Sequence, residues 1–173
     1  MKELVSAAAE AGAAVAIAMA AHHFIRPTRV EGVSMLPTFR ERDYLILNRT
    51  AYRKKGPRRG DVVVFRSDLS DGKGGKKLLI KRVIALAGDH LQIQDGRVLL
   101  NGQPLQEPYL KDGWTNGSLD LMVPDRCCFC MGDNRLDSLD SRSDRIGPVP
   151  CKELLGRIVC RLWPFDRVGR IAG

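Results

Sequence analysis

The chain has 173 residues, which suits one folded domain with room for a short additional segment. Charged residues make up 28% of it and aromatic residues only 6%, so the composition is that of a globular protein without an aromatic platform for stacking bases. The formal net charge of +8 favours an anionic partner. Basic residues crowd into residues 40–60, which fits a solvated loop or contact with lipid head groups. The stretch carries no nucleic-acid-binding signature, so we expect no nucleic acid as a partner.

Residues 4–25 are almost entirely apolar and mostly alanine, with Glu10 as the one charged residue among them. A helix of this length measures about 33 Å, close to the hydrocarbon thickness of a bilayer. We therefore expect residues 1–26 to form a single membrane anchor and residues 27–173 to form the folded domain. A cleaved signal peptide and a soluble amphipathic helix are the two alternatives.

After Arg26 the pattern changes to short apolar runs separated by Gly, Asn and Asp, which predicts an all-β antiparallel domain. The pair Asp95-Gly96 predicts a two-residue hairpin turn, and Asn101-Gly102 predicts a second turn. Two stretches with almost no apolar side chains, residues 53–60 and 67–77, are predicted to be exposed loops. The predicted strands are residues 43–48, 61–66, 78–87, 90–94, 97–101, 119–123, 127–131 and 156–163.

Neither a Ser/His/Asp triad nor a metal centre is predicted. Of the three histidines, His22 and His23 lie in the apolar N-terminal segment, and His90 lies at the start of a predicted strand. The sequence contains no H-E-x-x-H zinc motif. We therefore expect no metal and no cofactor.

The five cysteines have no neighbouring histidines to complete a zinc site. Three of them lie in an apolar run, where a cysteine usually acts as a small buried residue. A disulfide between two of the five stays open if the domain lies outside the cytoplasm. The cysteines are Cys127, Cys128, Cys130, Cys151 and Cys160.

Lys81 lies inside an apolar predicted strand. Alternation places Leu79, Val83 and Ala85 on the same face as Lys81. Burial among apolar neighbours lowers the pKa of a lysine, so that its neutral amine can act as a base near neutral pH. The alternative is a lysine that reaches from a sheet edge into water.

Ser34 follows a glycine-led turn. Gly32 would allow a substrate backbone to approach closely, and Pro37 stiffens the chain just after the serine. By itself this pattern describes an ordinary loop serine.

A further polar segment, residues 132–142, is dense in carboxylates, hydroxyls and guanidinium groups that can bind one another.

Four segments, taken in order, resemble the boxes of the type I signal peptidases. Residues 34–38 read S-M-L-P-T and look like the box that carries the nucleophile. Residues 59–65 read R-G-D-V-V-V-F and look like a strand of the family. Residues 81–89 read K-R-V-I-A-L-A-G-D and look like the box that carries a lysine base. Residues 132–142 read G-D-N-R-L-D-S-L-D-S-R and look like the last box.

The resemblance implies that Ser34 is the nucleophile and Lys81 the general base. Ser138 would hydrogen-bond the lysine and orient it. The backbone N–H of Ser34 would donate one hydrogen bond to the oxyanion. Some members carry a serine hydroxyl as a second donor two residues before the nucleophile; Gly32 occupies that position here, so the second donor stays open.

The resemblance also implies supporting residues. Asp140 and Arg142 would pair to stiffen the catalytic region, with Asp133 and Arg135 as further scaffold. Substrates would be preproteins with small residues at the −1 and −3 positions, which calls for shallow apolar pockets. The residues proposed for their walls are Val33, Leu36 and Ile84.

The implied fold is the antiparallel β domain shared with self-cleaving Ser/Lys regulators, preceded by one transmembrane helix. An exposed apolar surface would lie beside a phospholipid membrane. The protein would be a single-pass protein of a bacterial cytoplasmic membrane, with its catalytic domain on the extracytoplasmic side. Two other functions stay open: a degenerate β module that binds anionic lipid through residues 40–60, and a self-cleaving regulator, for which the apolar residues before Ser34 offer no DNA-binding domain.

Overall fold

The computed structural model of the chain describes residues 24–111 and 113–171. These residues form antiparallel strands and two single-turn 3₁₀ helices, Cys151–Glu153 and Phe165–Arg167, which confirms the predicted all-β antiparallel domain. All eight predicted strands are present, with ends that differ by a few residues. The strands are β1 Ile25–Arg29, β2 Tyr44–Asn48, β3 Val62–Ser70, β4 Lys76–Leu86, β5 His90–Gln94, β6 Arg97–Leu100, β7 Gln103–Pro104, β8 Leu119–Met122, β9 Cys127–Met131, β10 Val149–Pro150, β11 Leu154–Trp163 and β12 Gly169–Arg170.

The strands form two sheets. The larger has the order β1-β2-β11-β3-β4-β9-β10, with β12 paired to β11, and the smaller has the order β7-β6-β5-β8. Strand β4 lies between β3 and β9, but β9 pairs only with the part of β4 from Arg82 to Leu86. Among the described strands, none pairs with residues 76–81 of β4 on that side. This part of β4 therefore presents a free edge.

Three apolar clusters hold the sheets and loops together. One of them joins Val30, Met35 and Phe39, which lie before β2, to the face of the larger sheet that carries Val62 and Val64. Because Met35 and Phe39 are both fully buried, the short turn between them is fixed against the sheet. A second cluster packs β4 and β9 against the smaller sheet, and the third lies on the opposite face of β4 around Val83.

The alternation predicted for β4 is correct only as far as Val83. Leu79 and Val83 belong to one cluster, but Ile84 and Ala85 both pack into the cluster beneath the smaller sheet. The pairing of β4 with β9 shifts register between Val83 and Ala85. Such a bulge inserts one residue and reverses the alternation beyond it, so Ala85 does not share the face of Lys81.

Both predicted turns are confirmed. Asp95 and Gly96 have φ angles of 49° and 73° and connect β5 to β6, and Asn101 and Gly102 have φ angles of 53° and 77° and connect β6 to β7. Positive φ at both central residues is what the two-residue hairpin turn requires, and Asn, Asp and Gly tolerate it best.

The predicted loop over residues 53–60 is confirmed, and the predicted loop over residues 67–77 is wrong. Residues 53–60 contain no strand, whereas β3 continues to Ser70 and β4 begins at Lys76, so only residues 71–75 turn. Polar contacts replace the missing apolar pattern: Ser67 Oγ donates to the Lys77 carbonyl at 2.8 Å, and Lys76 pairs with Asp68 at 2.7 Å. An exposed hairpin of this kind gives no hydrophobic signal in the sequence.

The predicted membrane anchor, residues 1–26, lies outside the described residues except for residues 24–26. Of these three residues, Ile25 and Arg26 belong to β1. Within residues 24–111 and 113–171, no helix has the length and apolar character needed to cross a bilayer. All five cysteines are free thiols in this structure.

The turn glycines provide a matched test of the hairpin. Gly96 and Gly102 both have positive φ, but a Cβ at Gly96 would overlap the ring of Trp114, whereas a Cβ at Gly102 would meet nothing. We expect Gly102→Ala to lower the free energy of unfolding by about 1 kcal/mol through backbone strain alone. Gly96→Ala should cost about 1 kcal/mol more and should change the fluorescence of Trp114, because the ring must move. Equal losses in chemical denaturation with unchanged fluorescence would contradict this packing.

Candidate active site

Ser34 and Lys81 meet although 47 residues separate them in the sequence. Lys81 Nζ donates a hydrogen bond to Ser34 Oγ at 2.6 Å. Lys81 lies in the middle of β4, opposite Val63 of β3, so its backbone is held by the sheet. Ser34 lies in the turn that Met35 anchors in the core. The two residues predicted from the sequence to act together are thus in direct contact.

The turn that carries Ser34 has its own hydrogen bonds. Leu36 N donates to the Val33 carbonyl at 3.0 Å, and Phe39 N donates to the Met35 carbonyl at 2.8 Å. Gly32 enters the turn with a φ of 80°, a left-handed conformation that favours glycine. Gly32 is exposed and contributes only backbone groups beside the serine.

Lys81 is buried, with only 2% of its surface exposed. Burial disfavours the ammonium form and lowers the pKa of Lys81 to about 8, although the negative charges of Asp140 and Asp133 act in the opposite direction. At pH 7 about one molecule in ten then carries a neutral amine at this position. An amine within hydrogen-bond distance of a serine hydroxyl can accept its proton.

Residues 132–142 form a loop that lies directly against the serine turn. Asn134 N donates to the Ser34 carbonyl at 3.0 Å. Gly132 is packed so closely that a Cβ there would overlap both the Ser34 carbonyl oxygen and Ser138 Oγ. Only glycine fits at this position, because any side chain would push the loop away from Ser34.

Ser138 lies in this packed region with its hydroxyl buried. Its Oγ makes no hydrogen bond of normal geometry with the described residues, although it lies near enough to Asp140 to help lower the pKa of that carboxyl group. The predicted hydrogen bond between Ser138 and Lys81 is therefore not formed in this structure, where the lysine donates to Ser34 instead. A buried hydroxyl without a partner costs free energy, so its position calls for a functional explanation.

A forked ion pair within the loop joins Asp140 to Arg142. Arg142 Nε and Nη2 donate to the two oxygens of Asp140, each at 2.9 Å, and Gly132 N donates to the same carboxylate at 2.9 Å. Burial raises the pKa of Asp140, but the hydrogen bonds and positive charge of Arg142, together with the hydrogen bond from Gly132 N, outweigh it and leave the pKa below its usual value. The structure thus brings together the two residues that the sequence suggested as a pair.

Asp133 is tied to β4 by a second fork. Arg82 Nε and Nη2 donate to its two oxygens at 2.9 and 2.8 Å, and both side chains are almost completely buried. Thr38 Oγ1 donates to the same carboxylate at 2.5 Å, which links the serine turn to the loop. The Arg82 guanidinium also stacks 3.9 Å from the centre of the Tyr109 ring.

Arg135 forms the third fork, with Glu107 from the segment after β7. It also donates to Thr115 Oγ1 at 2.5 Å and to the Gly132 carbonyl at 3.0 Å. These contacts attach the loop to the chain around the smaller sheet. The sequence did not indicate Glu107, Thr115 or Tyr109, since partners 20 or more residues away leave no local signal.

The three residues predicted to form substrate pockets have different positions. Val33 is exposed beside the serine, and Leu36 lines an open groove. Ile84 is only 1% exposed and lies in the cluster beneath the smaller sheet, so it does not line an open pocket and that prediction is wrong. Strand alternation places Ile84 on the face of Arg82, opposite Lys81.

An exposed apolar surface lies at one end of the larger sheet, where Tyr44 of β2 pairs with Trp163 of β11. The Trp163 and Phe165 rings pack edge to face at 4.5 Å. Leu162 and Val168, which are near Trp163 and Phe165 in the sequence, are also exposed.

Comparisons with known proteins agree on one family. The family model described as signal peptidase, peptidase S26, matches residues 1–163. Signal peptidase I of Leptolyngbya laminosa is 37% identical over 164 residues, which cover 92% of this chain and 80% of that protein. Signal peptidase I of Bacillus caldolyticus is 36% identical over 152 residues, covering 80% of this chain and 79% of that protein.

A solved structure agrees with them. The crystal structure of a signal peptidase I from Enterococcus faecalis V583 has a TM-score of 0.50 and 28% sequence identity, covering 60% of this chain and 97% of that one. With the family model spanning nearly the whole sequence and relatives above 30% identity, the chain belongs to the signal peptidase family, peptidase S26.

Proposed function

We propose that this chain removes signal peptides from preproteins, with Ser34 as the nucleophile and neutral Lys81 as the general base. The observation that carries the proposal is the 2.6 Å contact between Lys81 Nζ and Ser34 Oγ at a buried position. A lysine that is protonated at every physiological pH could not serve as the base, and burial gives this one a lowered pKa. The names of the relatives support the substrate class.

In this mechanism the neutral amine of Lys81 takes the hydroxyl proton as Ser34 Oγ attacks the scissile carbonyl. The backbone N–H of Ser34 is one donor to the resulting oxyanion. Gly32 offers no side chain, so we assign the second donor to a backbone group. The lysine ammonium then gives its proton to the leaving amine, and the acyl-enzyme is hydrolysed by a water that the same amine activates.

Ser138 is proposed to position the lysine during the second half of the reaction. Once Ser34 Oγ is acylated, it no longer has a proton to exchange with Lys81. The buried hydroxyl of Ser138, which lies with the Ser34 carbonyl against Gly132, would then give the amine another partner. This role accounts for a hydroxyl that has no partner in the substrate-free protein.

We also propose a preference for small residues at −1 and −3, and the free edge of β4 supports binding of the substrate as an extended strand. Among the described strands, none pairs with residues 76–81 on the β9 side, and this stretch ends at Lys81. An extended substrate can add to this edge as a strand, and its alternate side chains then point to the same face. Val33 and Leu36 are the remaining wall residues that we propose for the pockets.

Attachment to a membrane is also proposed. The largely apolar residues before β1 would form a single-pass anchor in a bacterial cytoplasmic membrane, with the β domain on the extracytoplasmic side. Support comes from the exposed surface around Trp163, since aromatic side chains favour the interface between lipid and water. The basic residues 40–60 would contact anionic head groups.

The base is tested by Lys81→Met with a preprotein that carries an A-x-A site. Cleavage should fall by about a thousandfold or more, as it should for Ser34→Ala. The variant should remain folded and gain about 1–3 kcal/mol in free energy of unfolding at pH 7, because no charge must be buried. Lys73→Met in the turn before β4 is the matched control, because its side chain is exposed and lies outside the free edge. Cleavage by Lys81→Met at the wild-type rate would exclude the proposed base.

The pH dependence of cleavage tests the lowered pKa. Only the neutral amine accepts a proton, so kcat/KM should rise tenfold per pH unit below pH 8 and reach a plateau above it. The measurement uses a peptide substrate without groups that titrate between pH 6 and 10. A rate that keeps rising to pH 10 would mean that Lys81 retains an ordinary pKa.

The packing of the loop is tested by Gly132→Ala. The added methyl must displace the Ser34 carbonyl or Ser138, so we expect kcat to fall by about a hundredfold. Gly169→Ala is the matched control, since neither glycine has a positive φ and a Cβ at Gly169 meets no atom within 4 Å. Equal activity of the two variants would show that the loop does not hold the serine in place.

A further inference from the structure

An open groove of about 300 Å³ lies beside the serine turn, and apart from Leu36 at its edge its lining residues have no part in the substrate pockets proposed above. Leu36 and Pro37 form one side of it. Asn134, Leu136 and Trp114 lie on the other sides.

Two large apolar side chains of this groove are exposed to solvent. Trp114 is 56% exposed and Leu136 is 68% exposed. Trp114 is nevertheless held in place, because its ring packs on Gly96 and the next residue, Thr115, is buried with its N–H bound to the Gly96 carbonyl at 2.8 Å. An aromatic ring that is both exposed and held in place is typical of a binding surface.

The groove continues directly from the nucleophile. Asn134 donates through its backbone to the Ser34 carbonyl at 3.0 Å and through its side chain to the Val33 carbonyl at 3.3 Å. Leu36, on the other side, donates to the same Val33 carbonyl. A substrate chain that reaches Ser34 from the side opposite the groove therefore enters the groove when it continues past the serine.

The free edge of β4 shows which part of a substrate lies in the groove. Residues 76–81 can pair with the chain before the scissile bond, whereas the next part of β4 is covered by β9, which leads into residues 132–136. A peptide that lies along the free edge and places its carbonyl at Ser34 thus continues past residues 132–136. The residues after the scissile bond are the ones that enter the groove.

We propose that this groove binds the first residues of the mature part of the preprotein, and that Trp114 and Leu136 determine a preference for apolar side chains there. Arg40 and Lys111 also line the groove, and neither has a carboxylate partner among the described residues. An acidic side chain next to an apolar one among these first residues would therefore strengthen binding. This inference rests on the proposed function.

The test compares two peptides that are identical up to the scissile bond. One ends two residues after it, and the other extends to the sixth residue and carries Leu and Glu side chains. Wild type should show a kcat/KM about tenfold higher for the longer peptide. Trp114→Ala and Leu136→Ala should bring the ratio of the two kcat/KM values close to one.

Met122→Ala is the matched control, because Met122 is 57% exposed but does not line the groove, and its ratio should equal that of wild type. The ratio is measured within one variant, so a partly unfolded preparation lowers both rates and leaves the ratio unchanged. A wild-type ratio of one, or a full ratio in both groove variants, would overturn the assignment of the groove. Failure of wild type to cut either peptide would instead overturn the proposed function, and this inference with it.

Discussion

The burial of one lysine side chain is the constraint on which the rest of this structure depends. Lys81 is 2% exposed, and its amine lies 2.6 Å from Ser34 Oγ. Placing an ammonium group in an apolar environment is unfavourable, so the fold shifts the balance toward the neutral amine. Burial of Lys81 lowers the free energy of unfolding in full below about pH 8 and less as the pH rises toward 10.5. The same burial produces a base that functions near neutral pH. A sheet strand is suited to this task, because pairing with β3 holds the backbone of Lys81 in place.

Consecutive residues of β4 build the two halves of the site. Lys81 reaches the serine, and Arg82, on the opposite face, forms the buried fork with Asp133. Asp133 follows Gly132, which packs on the Ser34 carbonyl, so the fork holds the loop against the nucleophile. Removing one partner of such a buried pair typically costs about 3–5 kcal/mol. The ion pairs in the site therefore serve mainly to fix geometry, and the arginine forks restrict the loop more than single contacts could.

The sequence predicted most of the fold because its signals are local. Alternating apolar runs located eight strands, and Asp95-Gly96 located a hairpin turn. Strand β1 escaped prediction because I-R-P-T-R lacks apolar alternation, and it forms by pairing with β2. The bulge after Val83 also escaped, since it arises from the pairing with β9. The contact between Ser34 and Lys81 was expected from the resemblance to a family, and the pattern of residues alone left it undecided.

The central claim is that Lys81 is a base with a lowered pKa, and direct titration of this side chain tests it most simply. In protein carrying ¹³C-labelled lysine, the Cε signal that disappears in Lys81→Met belongs to this residue, and its shift can be followed from pH 6 to 11. If burial lowers the pKa of Lys81, the midpoint lies near pH 8, well below that of the exposed lysines. A midpoint close to 10.5, the ordinary value for lysine, would contradict it.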